Sequence, residues 1–159
     1  MISNKDKVAD NAHLNLEELT QRRAEVYLTE QFQVLIQEAT KDIPQIEPNE
    51  LYTLDKKLLL IDVREPEEFS SGYINAHNHL TIPRGKLEFA AIKKIAIDFG
   101  HDTHIVTYCL KGPRGALAAF QLKKMGFTNV KNLNGGILNW LDCGNTIHSY
   151  LGEMKLAKV

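Results

Sequence analysis

The residues best able to do chemistry stand in two short segments. Cys109-Leu110-Lys111-Gly112-Pro113-Arg114 follows the apolar run Ile105–Tyr108, and Asp62-Val63-Arg64 closes the run that begins at Leu58. A cysteine between a strand end and a helix start feels the positive end of the helix dipole and the free amides of the first turn. Both favour thiolate over thiol, and Lys111 and Arg114 add positive charge nearby. Gly112 lets the backbone turn back, so that the loop can wrap around the sulfur. The chemistry this predicts is nucleophilic attack by Cys109 on an anionic substrate.

The elements around these segments must hold them at one edge of a sheet. Leu58–Val63 and Ile105–Tyr108 are continuous apolar runs, short enough to be strands buried on both faces. Val130–Leu133 reads as a third strand. Between the first two, Leu87, Ala91, Ile92 and Ile95 suggest an amphipathic helix, and Ala116–Leu122, closed by Gly126, is a second. Gly135-Gly136 reads as a turn before a short helix containing Trp140. Strands alternating with helices imply a parallel α/β sheet with helices on both faces. Ligands of such sheets bind beyond the carboxyl ends of the strands, where both reactive segments fall.

Upstream, Asn15 and Glu18 fit the start of a helix running to about Thr40. Leu28, Phe32, Leu35, Ile36 and Ala39 recur along it at helical spacing. That stripe packs on the following domain, forms a homodimer contact, or docks a protein partner. Pro44 and Pro48 punctuate a linker, giving a helical extension over residues 1–45 and a main domain over residues 46–159.

Composition narrows the function classes. Nineteen basic and twenty acidic residues leave a formal net charge of -1, without the basic stripe of a nucleic-acid binder. No apolar run is long enough to cross a membrane, and Met1–Lys7 lacks the apolar segment of a signal peptide, so a cytoplasmic protein is expected. Two cysteines do not make a disulfide framework. Cys143, beside Trp140, reads as a packed structural residue. His77-Asn78-His79 and His101-Asp102-Thr103-His104 read as polar loops, because a metal site needs a full set of convergent ligands. Neither metal nor cofactor is expected.

Cys109-x-x-Gly112-x-Arg114 after an apolar strand resembles the active-site loop of the rhodanese family. Ile61–Phe69 is similar to that family's Asp-Val-Arg signature, and Gly72-Tyr73-Ile74 to the corner after it. Ile82-Pro83-Arg84-Gly85 resembles its small strand and Pro-Arg turn, and Gly135-Gly136 with Trp140 its Gly-Gly-x-x-x-Trp segment. The resemblance covers residues 46–147 in the family's order. It implies a rhodanese-like three-layer α/β/α fold with a central parallel sheet, preceded by the helical extension. It also implies a thiosulfate sulfurtransferase, in which Cys109 takes sulfur from a small-molecule donor and passes it to cyanide, a thiol or a sulfur-carrier protein. Leu110 to Arg114 would cradle the anion, with Arg114 either bracing the loop or meeting the donor. Asp62 and Arg64 would tie down the neighbouring loop. Arg84 either borders the site or forms a surface ion pair.

The chain departs from the family pattern at three places. Pro113 lacks an N–H, Gly115 stands where Ser or Thr is frequent, and Tyr73 stands where His is common. Three rival functions follow. A cysteine phosphatase or arsenate reductase on this fold wants one residue more between Cys and Arg than the four found here. A regulatory module without chemistry usually lacks the cysteine. A sulfur-relay protein serving one protein partner would keep Cys109 yet turn over thiosulfate and cyanide weakly.

Overall fold

Strands covered by helices on both sides must be apolar at successive positions rather than alternate ones. The computed structural model, which describes residues 30–155, has this arrangement. Strand β2 (Leu59–Asp62) and strand β4 (Ile105–Tyr108) are buried at every position, and β5 (Val130–Leu133) at all but Lys131. With β1 (Gln45–Ile46) and β3 (Asn78–Thr81) they form one sheet in the order β1-β5-β4-β2-β3, parallel throughout.

The helices are α1 (Glu30–Asp42), α2 (Pro48–Thr53), α3 (Pro66–Phe69), α4 (Leu87–Ala90), α5 (Ala96–Asp98), α6 (Pro113–Lys124) and α7 (Gly136–Asp142). They make two apolar layers. Leu59, Ile61 and Ile105 point to one side, against Leu87, Ala91 and Ile95 and against Ala118, Ala119 and Leu122 of α6. Leu60, Val106 and Tyr108 point to the other, against Leu51 of α2 and Ile137 and Trp140 of α7. The period of two along each strand sorts its side chains into these layers. Burying each such leucine or isoleucine contributes about 1.5–3 kcal/mol. This is the three-layer α/β/α arrangement expected from the sequence.

The chain divides into two compact units after Leu35. The expected helix start at Asn15, and Leu28 of its stripe, lie outside the described residues. Of the stripe, Phe32 and Leu35 are exposed and Ala39 is fully buried. The sheet itself opens at Gln45.

Three features differ from the sequence reading. Ile92, expected on an apolar helix face, is 64% exposed, whereas Leu87, Ala91 and Ile95 are fully buried. Those three are four residues apart, a spacing that drifts around an ordinary α-helix; a wide π turn over Ala91–Ile95 absorbs the drift and leaves Ile92 outside. Strand β3 lies at Asn78–Thr81, ahead of the Ile82-Pro83-Arg84 turn, so Asn78 and His79 belong to a sheet edge rather than a loop. A C-terminal hairpin, β6 (Thr146–Ser149) and β7 (Gly152–Lys155), has no counterpart in the sequence reading. It is tied back to the domain where Tyr73 and His148 exchange backbone hydrogen bonds of 2.9 and 2.8 Å. Among the described residues no helix is long and apolar enough to cross a membrane.

Candidate active site

From β2 the chain moves outward to β3, then crosses back to enter β4 on β2's other side. The carboxyl ends of β2 and β4, with Asp62 and Tyr108 in register, therefore flank the point where strand order reverses. That is where open α/β sheets bind ligands. Cys109 is the first residue past β4, and Asp62 is the last of β2.

Cys109 is 1% exposed, and its Sγ accepts a hydrogen bond from the Gly112 amide at 3.1 Å. Turning that N–H back on the sulfur requires φ of +122° at Gly112, a region L side chains rarely adopt. Helix α6 starts at the next residue, Pro113, whose ring suits the first helical position. Cys109, Leu110, Lys111, Pro113 and Arg114 line a recess of about 300 Å³ open to solvent. The structure thus gathers the whole sequence-predicted loop around one sulfur atom.

Helix α7 supports this loop from below. The amides of Ile137 and Leu138 donate to the carbonyls of Cys109 and Leu110 at 2.9 and 3.2 Å. Gly136 lies so close that a Cβ there would stand 2.5 Å from the Cys109 carbonyl oxygen and 2.6 Å from that of Leu110. Glycine at position 136 is a requirement for this close backbone approach.

Arg114 points its guanidinium at Glu68 and donates two hydrogen bonds of 2.7 Å, one to each carboxylate oxygen. Glu68 also accepts the Glu65 amide at 2.9 Å, closing a capping box on α3. Arg114 is the main reason the Glu68 carboxyl falls to about 2. Of the two roles open to Arg114 in the sequence, this geometry is that of a brace. The charges of Glu68 and, less strongly, of Cys109 raise the Arg114 guanidinium above its usual range, and Lys111 is exposed at the rim of the recess.

Asp62 and Arg64 form an ion pair with side chains 2% and 4% exposed, closest at 2.7 Å. Arg64 also donates to the carbonyls of Gly72 at 2.7 Å and Glu68 at 3.3 Å. The pair thus fixes the segment that carries Glu68. Burial pushes the Tyr108 phenol up, and its hydroxyl oxygen accepts the Ile74 amide at 3.1 Å. Arg84 does not line the recess; it pairs with Glu88 at 2.9 Å, and its amide donates to Val63.

Cys143 is exposed at the end of α7, which corrects the reading of it as a packed residue. Helix α7 turns its Ile137 and Trp140 side to the core, and Cys143 lies beyond that side. Among the described residues no three His, Cys, Asp or Glu side chains converge as metal ligands. His79 stacks on Tyr73, and His101 on Phe127.

The sequence reading gave no role to Glu68, Thr107 or Asn132. Thr107 and Asn132 lie side by side in β4 and β5, and both are buried under the loop. The available signal was a polar residue inside the otherwise apolar run of β4; in β5, Lys131 beside Asn132 masked it.

At 34% identity over 89 residues, the chain is similar to thiosulfate sulfurtransferase 16 of Arabidopsis thaliana chloroplasts, covering 53% of this chain and 74% of that one. Among four curated relatives, the match spans between 43% and 74% of the relative's own length. The polysulfide-sulfur transferase homodimer of Wolinella succinogenes superposes with a TM-score of 0.63 at 27% identity, covering 80% of this chain and 89% of that one. A Rhodopseudomonas palustris protein of unknown function, described as a possible tyrosine phosphatase, superposes with a TM-score of 0.63 at 31% identity over 72% of this chain and 92% of that one. The family model of the rhodanese-like domain matches residues 47–143, which run from the start of α2 past the Cys109 loop to the end of α7, and the chain belongs to that family.

Proposed function

We propose that this chain is a thiosulfate sulfurtransferase that carries sulfane sulfur as a persulfide on Cys109. The observation that carries this reading is the Gly112 amide aimed at Cys109 Sγ, in a loop with four residues between cysteine and arginine. An N–H fixed on the sulfur favours negative charge there without reorganisation during the reaction. A loop of this length leaves a bowl suited to one sulfur atom, smaller than a phosphatase needs for a tetrahedral oxyanion.

In the first half-reaction the Cys109 thiolate attacks the outer sulfur of thiosulfate. A new S–S bond forms, the old one breaks, and sulfite leaves with its electron pair. In the second, cyanide in vitro, or a thiol or sulfur-carrier protein in cells, attacks the outer persulfide sulfur and regenerates the thiolate. Two free cysteines suit a reducing compartment such as the cytoplasm.

A second reading, sulfur relay to a specific protein partner, draws on the pairing of Arg114 with Glu68 and on Pro113. On that reading, the engaged arginine and the amide missing from the cradle would hold a free dianion such as thiosulfate weakly.

The test is intact-protein mass measurement after incubation with thiosulfate, and again after cyanide, on wild type, Cys109→Ser and Cys143→Ser. One added sulfur atom on wild type and Cys143→Ser alone, removed by cyanide, is expected. Loading from a persulfidated protein but not from thiosulfate would favour the relay. Loading that survives in Cys109→Ser would overturn both readings, as would aryl phosphate turnover without any loading.

A further inference from the structure

Three polar side chains lie in one row across the sheet: Gln45 of β1 opposite Asn132 of β5, and Asn132 opposite Thr107 of β4. Asn132 is 1% exposed and Thr107 is fully buried. Polar groups placed so deep in an apolar layer are costly unless paired, and these pair with one another, with neighbouring backbone carbonyls and with the carbonyls of Gly112 and Gly115. The Asn132 amide nitrogen donates to the Gly112 carbonyl at 3.2 Å and to Gln45 Oε1 at 2.8 Å. The Thr107 hydroxyl donates to the Gly115 carbonyl at 2.7 Å.

The polarity of this chain of hydrogen bonds is fixed at both ends by backbone carbonyls. Gly112 can only accept, so the Asn132 atom facing it must be the nitrogen. That nitrogen needs an oxygen at Gln45, whose own nitrogen then donates to the Ile43 carbonyl at 3.2 Å. Gly112 is thereby gripped from behind, by Asn132 and by the Ala116 amide at 3.0 Å, while its N–H faces Cys109 Sγ. Glycine is the least restrained residue in φ and ψ, so an outside hold is needed to keep that N–H on target. Gly115 fits the same device: a Cβ there would run into Asn132 Oδ1 and come within 3.2 Å of Tyr108 Cα. The place where a serine or threonine hydroxyl would sit is filled from the sheet.

We infer that Asn132, held by Gln45, is a positioning residue for the sulfur chemistry: it anchors the Gly112 carbonyl, which restrains φ and ψ of that residue and so keeps its N–H, in the preceding peptide unit, directed at Cys109. This rests on the proposed role of Cys109 as the sulfur-carrying nucleophile.

The test compares wild type, Asn132→Ala and Gln45→Met by thiosulfate:cyanide kinetics, thermal melts, and the pH profile of Cys109 alkylation by iodoacetamide in a Cys143→Ser background. Folded Asn132→Ala is expected to lose roughly tenfold in kcat with KM within about twofold, and its alkylation profile should move to higher pH. Gln45→Met should move both readouts the same way by less. A folded Asn132→Ala with unchanged kcat and alkylation profile overturns the inference, even if its melting temperature falls, because the role would then be structural alone. Should Asn132→Ala fail to fold, Gln45→Met decides: wild-type kcat and profile refute the inference, and a shift in both upholds it. The alkylation profile needs no sulfur donor. A wild type that never loads sulfur would therefore defeat the proposed function while the profile still judged Asn132.

Discussion

Arg114 and Glu68 meet in a two-pronged ion pair, each guanidinium nitrogen 2.7 Å from its own carboxylate oxygen, and this pair joins the Cys109 loop to the segment after β2. Two loops separated by 46 positions in sequence thus behave as one wall of the site.

The pair makes the site's integrity depend on pH in a defined direction. Glu68 ionises at about 2 in the folded chain against an ordinary 4.5, so the unfolded chain binds its proton first as pH falls. Its contribution to stability is complete above 4.5 and is lost as pH drops toward 2. Both side chains are partly exposed, which keeps that contribution small. Glu68→Gln should melt a few degrees below wild type at neutral pH, and the gap should close in melts recorded toward pH 2. A gap that stays constant would show that the charge is not what matters.

Asp62 and Arg64 are nearly dry, so removing one leaves the other buried and unpaired. Asp62→Ala should cost about 3–5 kcal/mol in urea unfolding. Replacing both, as in Asp62→Leu with Arg64→Met, should cost less than Asp62→Ala alone. Additive losses would mean that the two act through separate contacts.

Gly136 tolerates no side chain. Gly136→Ala must push a methyl group into the Cys109 and Leu110 carbonyls at φ of +62°, and about 2–4 kcal/mol of destabilisation is expected. The same variant should lose most sulfur loading, because what gives way is the backbone of the loop. Wild-type loading by mass measurement would show that the loop is held elsewhere.

Pro113→Ala separates two effects of one residue. It frees the chain at the first helical position, which should cost about 0.5–1 kcal/mol, and it adds an N–H beside the recess. Sulfur loading from thiosulfate should rise roughly two- to fivefold despite the lower melting temperature. A parallel fall in both would place the proline's value in shape alone.

How far the sequence carried these conclusions depended on range. Strands β2 and β4 were legible because strands buried on both faces read as mainly apolar runs, β5 by its place after the second helix, and the Cys109 loop because six consecutive residues compose it. Strand β1 has two residues and draws its meaning from pairing with β5, 87 positions away through Gln45 and Asn132, which no local pattern displays. Strand β3 alternates half-buried and exposed positions at the sheet edge and carries two polar residues first, so it looked like a loop. The π turn was hidden because Ile92 is as apolar as its buried neighbours. Gly115 read as a lost hydroxyl; only the position of Asn132 shows why a side chain is excluded there.

The near-complete burial of Cys109 has one more consequence. A thiol at the bottom of its own loop is shielded from stray disulfides and bulky oxidants. Adding one sulfur extends the side chain by about 2 Å, and Cys109 lines the recess that opens to solvent. On the proposed chemistry, the empty carrier would be concealed and the loaded one displayed, so a partner at the surface could tell the two apart by reach alone.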